Sequence, residues 1–181
     1  MSDRPAIVGA DAGPEPPYPL QMEGEVISGF GRGSKELGIP TANLPVDAAV
    51  TPWIGTATSG VYFGHAALLL PDSHPQRTPS SSPSAFSVFP MVMSIGYNPF
   101  YKNTVRSAEV HVLHDFAGAD FYGAHMRLLI AGFIREEKDY KSLEALVEDI
   151  KTDCEVARRS LDRPAWRHGA LKGGEWLTKE L

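Results

Sequence analysis

The order of its structural signals most limits what this chain can fold into: strand-like segments come first and one helical pattern comes late. Met22–Ser28 alternates and ends at Gly29, and Gly60–Leu70 opens β-branched and aromatic and stays apolar. Phe86–Ile95 is rich in Val, Phe and Met, and Ala108–His114 alternates again. Its period of two places Glu109, His111 and Leu113 on one face and Val110, Val112 and His114 on the other. Met126–Arg135 is a long apolar run with Gly132 inside it, which predicts a bend or bulge. The helical pattern follows Ser142, an N-cap residue type, with Leu143, Leu146, Val147, Ile150, Cys154, Ala157 and Leu161 on one stripe. Glu144 in the first turn and Arg158 and Arg159 in the last suit the helix dipole, and Pro164 stops the helix. Without strand–helix–strand alternation, the expectation is a mainly β protein: an antiparallel barrel or sandwich closed by a helix. A doubly wound nucleotide-binding fold does not fit.

The 181 residues suit one domain. Residues 1–19 carry five prolines and little periodicity, and read as a mobile or extended arm. Residues 71–85, PDSHPQRTPSSSPSA, are too rich in Pro and Ser for regular structure and read as a surface loop between two strands. The expected organisation is therefore an arm over 1–19, a barrel with its helix over 20–162, and a tail over 163–181.

A net charge of −5 disfavours a nucleic-acid surface. The single cysteine, Cys154, forms no internal disulfide, and the helical stripe places it in the core. No apolar run reaches the length of a membrane helix, and the polar, Pro-rich N-terminus lacks the apolar region of a signal peptide. The expectation is a protein of the cytoplasm, with mitochondrial association left open, without membrane insertion, and monomeric.

Three segments carry chemistry. Gly29–Asn43 reads GFGRGSKELGIPTAN, with glycines alternating at Gly29, Gly31 and Gly33 and cations at Arg32 and Lys35. Glycines let backbone N–H groups converge on an anion, so the loop suits phosphate. It matches neither the P-loop nor the protein-kinase glycine pattern, and by composition alone it is equally a surface turn. Thr41 and Asn43 are two apart, so in an extended chain they share a face. Their hard, neutral oxygens suit a magnesium ion completed by water and phosphate, although capping a turn is the commoner use of such residues. Ser94–His114 holds a loop with Tyr97, Phe100 and Tyr101, then the strand bearing Glu109. With an ordinary pKa of about 4.3, such a carboxylate is ionised at neutral pH and can orient or deprotonate an attacking alcohol. Taken alone, a Glu in a strand is usually a solvated one. His111 and His114 fall on opposite faces and read as packing or hydrogen-bonding residues, not as a metal pair.

Together these pieces resemble the riboflavin kinase family. The likeness runs through GEVISGFGRGSKELGIPTANLP at 24–45, GVYFG at 60–64, MSIGYNPFYKNT at 93–104, EVHVLHDF and DFYG within 109–123, and GFIREEKDYKSLEALVEDIKTD from Gly132. That covers about three-quarters of the chain, with the motifs in the family's order. The resemblance implies a six-stranded antiparallel Greek-key barrel with a C-terminal α-helix. It implies transfer of the γ-phosphoryl group of ATP to the 5′-hydroxyl of riboflavin, giving FMN and ADP. Thr41 and Asn43 would hold Mg²⁺, or Zn²⁺ or Mn²⁺ in its place. Gly29, Gly31 and Lys35 would lie over the ATP phosphates, Glu109 would be the catalytic carboxylate, and Arg135 and part of Asp120–Gly123 would lie near the flavin. The single-domain form resembles the eukaryotic, especially fungal, branch. A flavin-binding barrel without activity is the runner-up, and a barrel for single-stranded nucleic acid the third reading.

Overall fold

The computed structural model describes residues 4–27, 41–70, 86–97, 106–116 and 121–179. Six strands form one sheet: β1 (Leu20–Glu25), β2 (Thr41–Leu44), β3 (Gly60–Leu69), β4 (Phe86–Tyr97), β5 (Arg106–Val112) and β6 (His125–Glu136). Their order across the sheet is β1-β6-β3-β4-β5-β2, and each neighbouring pair is antiparallel. Past the end of β1, Ile27 bridges to Asn43 of β2, so the sheet curls until its two edges meet. The helix follows as α1 (Leu143–Leu161), and Ser142 caps it by accepting from the Ala145 amide.

Alternation sorts the side chains into two cores. Tyr62, Ala66, Leu68, Met91, Met93, Val110, Val112, Leu128 and Ile130 fill the inner face. Phe63, Ala67, Val92 and Leu129 face outward against Cys154, Ala157 and Leu161 of α1 and against Trp166. Phe63 is fully buried there and stacks on Trp166 with ring centroids 5.7 Å apart. Each large apolar side chain buried in this way contributes roughly 1.5–3 kcal/mol. The two faces are covered by different means: the inner one by the curl of the sheet, the outer one by α1.

The irregularity expected near Gly132 is present twice. Val61 pairs with Arg135 but Tyr62 with Phe133, and Phe63 pairs with Gly132 but Gly64 with Ile130. β6 therefore carries Ile134 and Ala131 as extra residues, and its 12 residues run beside the 10 of β3. Such bulges bend a strand and sharpen its twist. Gly132 leaves room for the Phe63 ring, which a Cβ would approach to 2.7 Å.

Residues outside the sheet pack against it. From the arm, the Val8 amide donates to Ser160 Oγ at 3.0 Å, and Arg163 donates to the carbonyl oxygens of Val8 and Gly9. The Trp166 indole donates to the Ala10 carbonyl at 2.8 Å. The tail forms 3₁₀ turns at Pro164–Trp166 and His168–Ala170 and a short helix, α2 (Gly174–Thr178). The buried Arg127 donates to the carbonyl oxygens of Trp176, Leu177 and Lys179 at the C-terminal end of the short helix.

Gly9 has φ +87° and lies against Trp166, whose Cη2 a Cβ would approach to 2.4 Å. Gly9→Ala should therefore lower stability by about 1–3 kcal/mol, through backbone strain and displacement of the indole. Thermal unfolding measures this, and an unchanged midpoint would show that the arm does not rest on Trp166.

Candidate active site

The register lines up one row of residues across five strands. Asn43 on β2 lies opposite Glu109 on β5, Glu109 opposite Ser94 on β4, Ser94 opposite Val61 on β3, and Val61 opposite Arg135 on β6. Directly opposed residues of antiparallel strands share a face, and neighbouring strands lie about 4.8 Å apart. All five residues therefore sit on the outer face, with Glu109 between Asn43 on one side and Ser94 on the other. Beyond Ser94 opens a cavity of about 430 Å³ lined by Val61, Ser94, Arg135, Lys138, Tyr140 and Leu146, among others. Tyr140 supplies aromatic surface there, within reach of the Arg135 and Lys138 cations.

The Glu109 side chain is about one-quarter exposed. His111 lies two residues on, on the same face. Its Nε2 is 3.6 Å from Glu109 Oε1. The imidazole is buried, which pushes its pKa down to about 4 against an upward pull from Asp153. At neutral pH the ring is uncharged.

At the far end of the row, Arg135 is held by carboxylates of α1. Its Nε and Nη2 both lie 2.9 Å from the Asp153 carboxylate. Asp153 is only 2 % exposed, and Arg4 of the arm reaches the same group at 2.5 Å and Asp149 at 2.7 Å. Tyr140 donates to Asp149 at 2.5 Å and the Lys138 ammonium lies 3.0 Å from it. Burial raises the Asp149 pKa, but the Tyr140 hydroxyl and the cations of Lys138, Arg135 and Arg4 outweigh it and hold the value at about 2. Burial likewise disfavours the Arg135 cation, yet the bonds to Asp153 win and raise its pKa. A buried carboxylate shared by two guanidinium groups fixes the direction of both.

The structure thus brings Asn43, Glu109 and Arg135 to one face. Thr41 begins β2 at the position opposite His111, and its side chain lies outside the described residues. Gly29, Gly31, Lys35, the 71–85 loop, the 98–103 segment and Asp120 also lie outside them. Ser94, His111, Asp149, Asp153 and Arg4 were not picked out as site residues from sequence. For the two aspartates a signal existed: they are four apart on α1, beside Ile150 and Cys154 of its apolar stripe. Among the described residues, no group of three or more His, Cys, Asp or Glu side chains could cage a metal ion. No described helix is long and apolar enough to cross a membrane.

The chain matches the family model described as Flavokinase, riboflavin kinase, over residues 16–161. It is 72% identical over 163 residues to a riboflavin kinase of Pyricularia oryzae, covering 90% of this chain and 81% of the relative. A riboflavin kinase of Neurospora crassa is 54% identical over 232 residues, covering 98% and 97%. The crystal structure of riboflavin kinase from Trypanosoma brucei superposes with a TM-score of 0.66 at 28% identity, covering 92% of this chain and 95% of that one.

The network around Arg135 predicts an acid-sensitive contribution to stability. Asp149 has a folded pKa of about 2 against an ordinary 3.8, so what its ionised form contributes is fully present above about pH 4 and is lost as pH falls through about 2. The gap in melting temperature between the parent and Asp149→Asn should be widest near neutrality and narrow towards pH 2. A gap constant across that window would remove Asp149 from the network.

Proposed function

The chain belongs to the riboflavin kinase family, and from that premise we propose that it transfers the γ-phosphoryl group of ATP to the 5′-hydroxyl of riboflavin, giving FMN and ADP. The observation that carries the assignment of roles is the row itself: Glu109 stands between Asn43 and the cavity beside Ser94 and Arg135. Phosphoryl transfer asks mainly for alignment of donor and acceptor and for compensation of phosphate charge. A carboxylate between a phosphate side and an alcohol side meets the first need.

In this reading the flavin occupies the cavity of Val61, Ser94, Arg135 and Tyr140, with its 5′-hydroxyl turned towards Glu109. The ionised Glu109 accepts the hydroxyl proton, or holds the hydroxyl in line, as the oxygen attacks. The salt bridges to Asp153 fix the Arg135 guanidinium at the cavity wall. Gly29, Gly31 and Lys35 contact the ATP phosphates with converging N–H groups and a cation. Asn43 offers a neutral oxygen on the phosphate side of Glu109, and Thr41 is its proposed companion as a metal ligand. These donors fit a divalent ion that takes its remaining ligands from phosphate and water, with Mg²⁺ the first choice over Zn²⁺ or Mn²⁺. Bound there, the ion would supply positive charge that offsets the charge of the phosphates. Every residue named comes from one chain, so a monomer suffices, and the cytoplasm is the proposed compartment.

A barrel that only stores flavin would have no use for a carboxylate on the Asn43 side of the cavity. Chromatography of FMN formed from riboflavin, ATP and Mg²⁺ tests the activity directly, and no product with any divalent metal would end the proposal. Glu109→Gln should lower kcat by about 10²–10⁴-fold with little change in ATP binding; near-parental turnover would refute the role of the carboxylate. Thr41→Ala should shift the Mg²⁺ titration to higher concentration, and an unshifted curve would take Thr41 out of the metal site.

A further inference from the structure

We propose that His111 is a positioning residue for Glu109, holding the carboxylate on the side of the row from which it meets the substrate hydroxyl. The inference rests on the role given to Glu109 above and goes beyond it. His111 occupies the middle of the outer face, where its register neighbours are Thr41 and Val92, followed by Phe63 and Gly132. Val92 and Phe63 belong to the apolar cluster under α1. An aliphatic side chain would suit that setting, yet the position carries an imidazole that is only 5 % exposed.

The imidazole makes poor use of its polarity as a packing group. Its Nδ1 is fully buried and has no hydrogen-bond partner among the described residues. A buried polar atom without a partner weakens the fold. Its Nε2 is turned to Glu109 Oε1 at 3.6 Å. That is just beyond a hydrogen bond and within one small rotation of the Glu109 side chain. Contacts of this kind commonly tighten when the ligand complex forms.

His111 offers Glu109 such a restraint. The Glu109 side chain has several rotatable bonds and is partly open to solvent, so the backbone alone does not fix where its oxygens point. An in-line transfer tolerates little error in that position. His111 shares the strand and the face, and the packing around it holds its ring. An N–H on Nε2 therefore offers Oε1 a fixed point on the same strand and face. No proton leaves His111 in this scheme, so it acts through Glu109 and not on the substrate.

The test uses the full chain with saturating ATP and Mg²⁺ and four variants: His111→Gln, His111→Asn, His111→Leu and Glu109→Gln. Gln places its amide N–H near the Nε2 position, whereas Asn places its amide near Nδ1 and Leu has no donor. For Asn and Leu, kcat should fall about 10- to 100-fold while KM for riboflavin stays within about twofold. Gln should keep several times more kcat than Asn, and Leu should unfold at or above the parent's melting temperature. The proposal is overturned if Leu keeps kcat within twofold, if the loss lies in KM, or if Gln and Asn are equally impaired. Should the Leu variant not fold, the comparison of Gln with Asn decides alone. A Glu109→Gln enzyme with parental turnover would bring down the role of Glu109 itself. Loss of turnover there beside normal His111 variants would bring down only the positioning role.

Discussion

The candidate site depends on antiparallel register. Five residues from five strands share a face because each lies opposite the next, and this register brings Asn43, Glu109 and Arg135 together. They are far apart in sequence, so the sheet has to close its longest loops before the row exists. The curl that joins Ile27 to Asn43 fixes one end of the row, and the salt bridges from Asp153 fix the other. Between these ends the strands are held by cores on both faces, which makes the middle of the row rigid.

The outer face is divided between packing and chemistry. Beneath α1 it is apolar, from Phe63 and Val92 to Leu129. One row away it is polar, with Asn43, Glu109 and Ser94 only partly buried. His111 lies at the boundary, an imidazole set among apolar neighbours. The carboxylates of α1 lie at the same boundary from the other side. Asp153 is nearly as buried as the leucines around it and is tolerated there because two guanidinium groups meet it. One of these is Arg4, from the arm that precedes the residues matched by the family model, so the arm takes part in holding Arg135 in place.

Much of this was legible in the sequence. The alternation of Ala108–His114 assigns Glu109 and His111 to one face and Val110 and Val112 to the other, and the structure puts the two valines in the inner core. The cap at Ser142 and the end of the helix at Leu161 also followed from local chemistry. The face of Arg135 did not. Phe133 and Arg135 are two apart and would share a face in a regular strand, but the bulge at Ile134 separates them. Neither the docking of Gly9 on Trp166 nor the link from Arg4 to Asp153 leaves a local pattern, because each joins residues more than 140 positions apart. From sequence His111 reads as a packing or hydrogen-bonding residue, since alternation gives its face but not the direction of its ring nitrogens.

The two extra residues of β6 have a consequence for how this enzyme can change. They lengthen one strand relative to its neighbour, and the same surplus both bends the sheet and turns the guanidinium of Arg135 outward. Architecture and ligand contact therefore share one structural cause. A version with Ala131 and Ile134 excised would match β3 residue for residue and look more ideal. It would also be flatter and less twisted. The arithmetic of this strand is closed to lineages and designers alike.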